Sequence, residues 1–500
     1  MALALPPLVL LGFLVIEHLR GHIALAHYVH TLRAQGEKMN AREFLLPIPA
    51  GENGAPEILV AAKELKPGQI LPKTFPPRMR LTPLGHAIVG FREDQWVEDK
   101  VTNHWDSLAA DLATNAATLN RIEAAMTKPV LNCEFDPTLG PLARFPHLPV
   151  PKTLTQWFGP RIALGLHEGR TRETLRDLVT EIELPRLLAP DGIVISELVR
   201  EAIAAVAFRD VWEALQADGW TDDDLAQLQR AWEAQHFAEP MVRALEGERV
   251  FAQSSYDLMR HSNQQTASLL FWTSENLPDE EKASWERVVR ELPGGNAMVD
   301  FFKKELFCRV WRFAWLDQDQ LHYLHYLEGL IALGRDASRQ KSFQKLQPLE
   351  DRLVVRFQNH GVYDRLRYFS EMSVGSLSRA LNRAMRAETE RSMVLAAIAI
   401  KRYAGRHGSV PESLDALVPE WLASVPVDYM NGEALRFRRQ QDGGFALYSV
   451  GEDGTDDGGN ATLSSDKTIS RVIWNRKDAV WPAPANAAEV EVFRRESAKE

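Results

Sequence analysis

The chain has 500 residues, 45% hydrophobic and 25% charged, with a formal net charge of -10. That length accommodates about three domains with buried cores, while the acidic balance and the lack of a Lys/Arg block interleaved with aromatics argue against nucleic acid as a partner. Cys133 and Cys308 are too few for a disulfide framework or a four-thiolate zinc site, and they leave the redox compartment open.

From the amino terminus, Ala2 to Ile16 is continuously apolar apart from Pro6, Pro7 and Gly12, and Glu17, His18, Arg20 and His22 end the run. A helix needs roughly 20 apolar residues to span hydrocarbon, so the run is short for a membrane anchor. A cleaved signal would carry a basic stretch before it, and none is present. Residues 1–35 are expected to be an apolar membrane anchor and juxtamembrane helix, with a cleaved signal and a buried helix as the competing readings. Arg20, Arg33, Lys38 and Arg42 would keep the body cytoplasmic by the positive-inside rule, whereas a signal-anchor would export it. Gly12 to Glu17 matches the short pattern at which type IV prepilins are processed. There, however, the apolar helix follows the glycine, and here it precedes it, so the match is expected to be incidental.

Residues 36–100 carry Pro47, Pro49, Pro56, Pro67, Pro72, Pro76, Pro77 and Pro83, which predicts an extended linker or strap. Gly85 to Phe91 reads as a short strand at its end. From about Val101 the apolar spacing turns helical, and residues 101–380 are expected to form a helical body, either a bundle or an irregular α-solenoid. Gly219 is placed to end one helix and Thr221 to cap the next, with Asp222, Asp223 and Asp224 at its positive end. Gly169 and Thr171 suggest the same device.

Within this body His322, His325 and Glu328 recur every three residues. A zinc site needs three ligands converging on one point, and one helix flank supplies at most two, so an aromatic-rich amphipathic helix is expected instead. His167-Glu168 lacks the second histidine of a zincin helix, and His18 and His22 lie beside the apolar run. No phosphate loop, dinucleotide fingerprint or nucleophile elbow is present. An enzyme would therefore have to assemble its site from scattered carboxylates and histidines, as a hydrolase can.

In the carboxy-terminal part, Met393, Ala397, Ile400 and Tyr403 form a helical stripe, while Leu435, Phe437 and then Phe445, Leu447 alternate like strands around Asp442-Gly443-Gly444. A helix packed on a small antiparallel sheet is predicted over residues 381–482, with a flexible tail over 483–500. The expected fold class is thus mainly α, with a small carboxy-terminal α+β domain.

The order of parts in Arg391 to Gly459 resembles the globular region of the major pseudopilins of type II secretion. A helix ending in Tyr403 and His407-Gly408 is followed by Pro411-Glu412-Ser413-Leu414, Pro426-Val427-Asp428, a hairpin, and Leu447 to Gly451 leading into Asp453-Gly454. The resemblance implies a calcium-binding loop after the last hairpin strand. Asp453 matches the loop aspartate, Asp456 and Asp457 its acidic tail, and Asp478 the aspartate of a later segment. Glycines let carbonyls turn inward while carboxylates neutralise the ion. The segment from Gly459 to Asp478 is longer than in that family and holds Lys467, Arg471, Arg476 and Lys477, so a solvated acidic turn stays open beside calcium.

The rest of the chain resembles a group of bacterial proteins that join a short anchor, a helical body and such a tail. The landmarks are Gly36-Glu37, Pro47 to Pro56, Lys128 to Leu131, His147 to Pro149, Glu168 to Arg170 and Gly247 to Arg249. This resemblance implies architecture and no activity. The expectation is a non-enzymatic scaffold or binding protein, attached to the cytoplasmic membrane by its amino terminus and with its body on the outer, periplasmic side. Its tail would bind calcium or a protein partner, in a role linked to secretion or envelope assembly, and a hydrolase is the alternative.

Overall fold

Two long helices, Val194–Gln216 and Glu371–His407, pack along each other at the centre of the body. The computed structural model describes residues 5–44, 51–72, 79–81, 86–93, 95–98, 101–275, 302–358, 361–441, 443–464 and 472–497. Around the central pair lie Pro149–His167, Thr171–Glu183, Asp222–Glu233 and Ala238–His261, and Leu316–Gln340 packs on the last of these. The amino-terminal helix Leu5–Ala34 lies against Leu316–Gln340. The protein is mainly helical with a small carboxy-terminal sheet, as its periodicity predicts.

Local signals account for several boundaries. Gly219 adopts φ +87°, and Thr221 then forms a reciprocal capping box with Asp224: Asp224 N donates to Thr221 Oγ1 at 3.2 Å, and Thr221 N to Asp224 Oδ2 at 3.0 Å. A cap of this kind contributes about 1 kcal/mol. Gly169 also turns left-handed, but Thr171 is not the cap expected there. Arg170 occupies that position without a side-chain bond, and Thr174 Oγ1 donates back to the Arg170 carbonyl at 2.8 Å.

The proline-rich stretch is less extended than predicted. Ala55–Glu64 is a helix with Pro56 in its first turn, where a missing N–H costs nothing. The chain after it is pinned to helix Trp105–Met126, because the Asp111 carboxylate accepts the backbone amides of Gln69, Ile70 and Leu71 at 2.8–3.1 Å. Strands β1 (Met79–Leu81) and β2 (His86–Val89) pair antiparallel, and β2 falls within the expected Gly85 to Phe91 segment. Strands β3 (Gln95–Glu98) and β4 (Val101–His104) form a separate hairpin.

The carboxy-terminal sheet comprises β5 (Arg436–Arg439), β6 (Phe445–Ser449) and β7 (Ala479–Val480), with Phe437 opposite Leu447 and Ser449 opposite Ala479. Asp442 of the predicted turn lies outside the described residues, and Gly443 takes φ +86°. The expected division near residue 381 falls inside a continuous helix that ends at Gly408, φ +75°. Leu414, Leu447, Trp474 and Trp481 belong to the same apolar cluster as Leu108, Trp157 and Leu245, so this sheet shares the core of the helical body.

The segment expected to be a flexible tail also returns to the body. Strand β8 (Ala483–Pro484) pairs parallel with β2, Trp212 Nε1 donates to the Pro482 carbonyl at 2.6 Å, and His86 Nδ1 meets Glu489 Oε2 at 2.6 Å on helix Ala487–Ser497.

Candidate functional site

Two places carry the residues singled out by sequence: the free end of the amino-terminal helix and the acidic loop after β6. Among the described residues, one helix, over Leu8–Ala34, is long and apolar enough to cross a membrane by length and composition. The structure divides that helix into two unlike halves. Leu8, Val9, Leu10 and Leu11 are 62, 65, 58 and 57% exposed. Four consecutive residues point to every side of a helix, so its tip is bare all round.

From Glu17 onward the same helix is docked. Glu17 is buried; its carboxylate accepts from Arg20 Nη2 at 3.0 Å, Gln318 Nε2 at 2.9 Å and the Tyr363 hydroxyl at 2.8 Å. His18 stacks on Phe313 with centroids 4.7 Å apart, and His22 Nδ1 lies 3.1 Å from Asp317 Oδ2. Leu25 and Leu32 bury against Leu324. The chain leaving the helix is held by Arg249, whose Nη2 meets Glu37 Oε2 at 2.8 Å and whose Nη1 meets Glu328 Oε1 at 2.5 Å. The polar residues that end the apolar run therefore form a joint with the body, which sequence alone places only as a flank.

In the acidic loop the four predicted aspartates take separate partners. Asp478 is fully buried, and its carboxylate accepts Gly459 N at 2.8 Å, Asn460 N at 2.7 Å and Asp457 N at 3.3 Å. Burial raises its pKa, and these amides oppose that shift. Asp456 accepts from Gly458 N at 2.9 Å, Arg436 Nε at 3.1 Å and Tyr448 Oη at 3.1 Å, which hold its carboxyl below the usual range. Asp457 has Lys477 Nζ at 3.7 Å, and Asp453 accepts its own loop's Thr455 N at 2.9 Å. Lys467 and Arg471 lie outside the described residues.

The donor set suits calcium chemically, since all four groups are hard oxygens. Among the described residues no group of three or more His, Cys, Asp or Glu is placed to hold a metal ion. A fifth aspartate that spacing did not single out, Asp428, organises the same loop. It is buried and accepts Val450 N, Ser449 Oγ and Met430 N at 2.9–3.0 Å. The only sequence signal for it is the Pro426-Val427-Asp428 turn.

The histidine-bearing flank disperses as expected. His322 stacks on Tyr368, His325 meets Tyr28 edge-on, and Glu328 pairs with Arg249. A buried Ser, His and Asp do meet elsewhere. His147 Nε2 and Ser196 Oγ both lie on Asp191 Oδ2, at 2.8 and 2.6 Å. In a nucleophilic relay the serine hydroxyl donates to the histidine and the carboxylate orients the imidazole from behind. Here the serine donates to the carboxylate, so the trio is a brace between the His147 turn and helix Val194–Gln216. Burial pushes the nearby Cys133 thiol up to about 12, which keeps it protonated.

No family model, curated protein or solved structure matches the chain.

Proposed function

We propose that this chain is a non-enzymatic, membrane-attached scaffold or binding protein, with its body on the outer side of the cytoplasmic membrane and the loop after β6 as its partner-binding end. The observation that carries the attachment is the bare apolar tip, Leu8 to Leu11, immediately ahead of a docked polar joint. Each large apolar side chain moved from water into lipid contributes about 1.5–3 kcal/mol, so four of them suffice to hold a protein at a bilayer.

The loop offers Asp453 and Asp457 at the surface around a buried Asp478, and an outer location suits it because extracellular-type calcium sites work at high ion concentration. Calcium remains its second proposed ligand, and would require Asp478 to exchange its amide donors for the ion. The pseudopilin-like order of helix, hairpin and loop supports a role linked to secretion or envelope assembly.

Vesicle flotation of the full chain beside a Leu8→Asp, Leu11→Asp variant tests the attachment. The parent is expected to float with the lipid and the variant to stay below it. Equal flotation, or none in the parent, would remove the membrane half of the proposal.

A further inference from the structure

The apolar surface does not stop at the tip. Leu14 packs into a cluster with Tyr256, Cys308, Trp311 and Trp315, and Phe307 and Val310 join the same cluster. The segment Phe302–Ala314 thus climbs beside the amino-terminal helix, burying Cys308, Trp311 and Ala314. Its other face leaves Leu306 and Phe313 exposed at 47 and 45%, seven residues apart and so on one stripe. Phe313 stacks on His18, and on another side Phe13 meets the exposed Tyr363 ring at 6.1 Å.

Phe13, Ile16, Leu306, Phe313 and Tyr363 therefore surround the root of the tip as an apolar, aromatic-rich collar. Directly beyond it the surroundings turn polar, with Glu17, Arg20, Gln318 and Arg367 bonded to one another and Asp317 paired with His22 and Arg260. Aromatic rings between an apolar run and a polar layer are the arrangement that membrane interfaces favour.

We propose that this collar is a second lipid-contact surface, on which the body rests flush against one leaflet. The inference rests on the membrane-attached reading and makes it specific. Residues from Glu17 onward are outside the bilayer, because they pack on a helix bearing Asp317, Gln318 and Glu328. The docked half of the helix, from Glu17 onward, thus stays outside the bilayer, although the helix over Leu8–Ala34 is long and apolar enough to cross one.

Spin labels on the full chain test this, placed singly at Leu11, Phe313 or Ile23 after Cys133→Ser and Cys308→Ala. Vesicles of phosphatidylcholine with phosphatidylglycerol are the probe, and collision with oxygen or a water-soluble nickel chelate is the readout. Leu11 is expected to become chelate-shielded on vesicle addition, Phe313 partly so, and Ile23, which is 66% exposed, to stay open. Ile23 becoming as shielded as Leu11 would overturn the seating while leaving attachment intact. A Leu11 label still open to the chelate would remove both. Ile23 shielded before any lipid is added would assign the exposed stripe to a second copy of the chain and overturn the lipid assignment. In parallel, Leu306→Asp with Phe313→Asp is expected to weaken vesicle binding about tenfold or more at unchanged melting temperature; unchanged binding would refute the collar.

Discussion

Arg249, fully buried on helix Ala238–His261, joins Glu37 at 2.8 Å to Glu328 at 2.5 Å and donates from Nε to the Lys38 carbonyl at 3.1 Å. One guanidinium thereby ties the chain leaving the amino-terminal helix to two helices of the body. Arg335 adds a second clamp on Glu37, at 2.7 Å, and holds its carboxyl below the usual range. Removing one partner of a buried pair leaves a charge uncompensated, at about 3–5 kcal/mol. Arg249→Leu is expected to lower unfolding free energy by that amount in urea titration. A loss under about 0.5 kcal/mol would show that the clamp contributes little.

Gly247 lies two residues before that arginine, and a Cβ there would collide with the Gly192 carbonyl oxygen, a backbone atom that cannot turn aside. Gly247→Ala is therefore expected to cost about 1–3 kcal/mol. Gly405 provides the contrast, since a Cβ would meet nothing within 4 Å on the same kind of helix. Gly405→Ala is expected to stabilise by about 0.5–1 kcal/mol, because alanine loses less backbone freedom. Melting temperatures moving the same way for both would contradict this assignment.

Asp319 is buried with Tyr256 Oη at 2.7 Å, Ser370 Oγ at 2.8 Å and Ser370 N at 3.0 Å, and burial raises its pKa to about 6 from an ordinary 3.8. The folded state then binds the proton more tightly than the unfolded one. Its contribution to stability is complete below about pH 4 and is lost as pH rises through about 6. At about 1.4 kcal/mol per pKa unit the change is roughly 2–3 kcal/mol. Asp319→Asn is expected to flatten the stability profile across that window, and a slope as steep as the parent's would assign the pH dependence elsewhere.

Asp478 supplies charge-assisted bonds to the amides of Asp457, Gly459 and Asn460. Asp478→Asn is expected to lower stability by about 1–3 kcal/mol and to speed amide exchange at those residues. A calcium titration of the full chain decides between the two proposed ligands of this loop: an unchanged melting temperature would leave it to a protein partner. A saturable rise, absent in Asp453→Ala with Asp457→Ala, would instead establish the ion at this loop.

Local periodicity and capping are sequence properties, so the mainly helical class, the Thr221 cap and the β5–β6 pairing could be read without coordinates. The apolar run was legible too, because hydropathy needs no partner. What the run does was not legible: whether Glu17 flanks a membrane or buries against Gln318 depends on a residue some 300 positions away. The same holds for the sequence landmarks. Gly36-Glu37 and Gly247 to Arg249 are short and separate in the chain, yet they meet as one ion pair. Asn53 and Val130, from another two landmarks, meet as a β-bridge.

The acidic loop shows the same division from the other side. Spacing identified Asp453, Asp456, Asp457 and Asp478 as oxygen donors, which is a property of residue type. It could not say whether their carboxylates converge on an ion or each take an amide or a cation. Direction is set by the packing of β6, β7 and the loop between them. Tertiary structure supplied those amide and cation partners, and for the same reason it joined the expected tail to β2 and cut the apolar helix into a free tip and a docked shaft. Secondary structure follows from neighbours a few residues apart, whereas burial and bonding partners are fixed only when distant segments share one core.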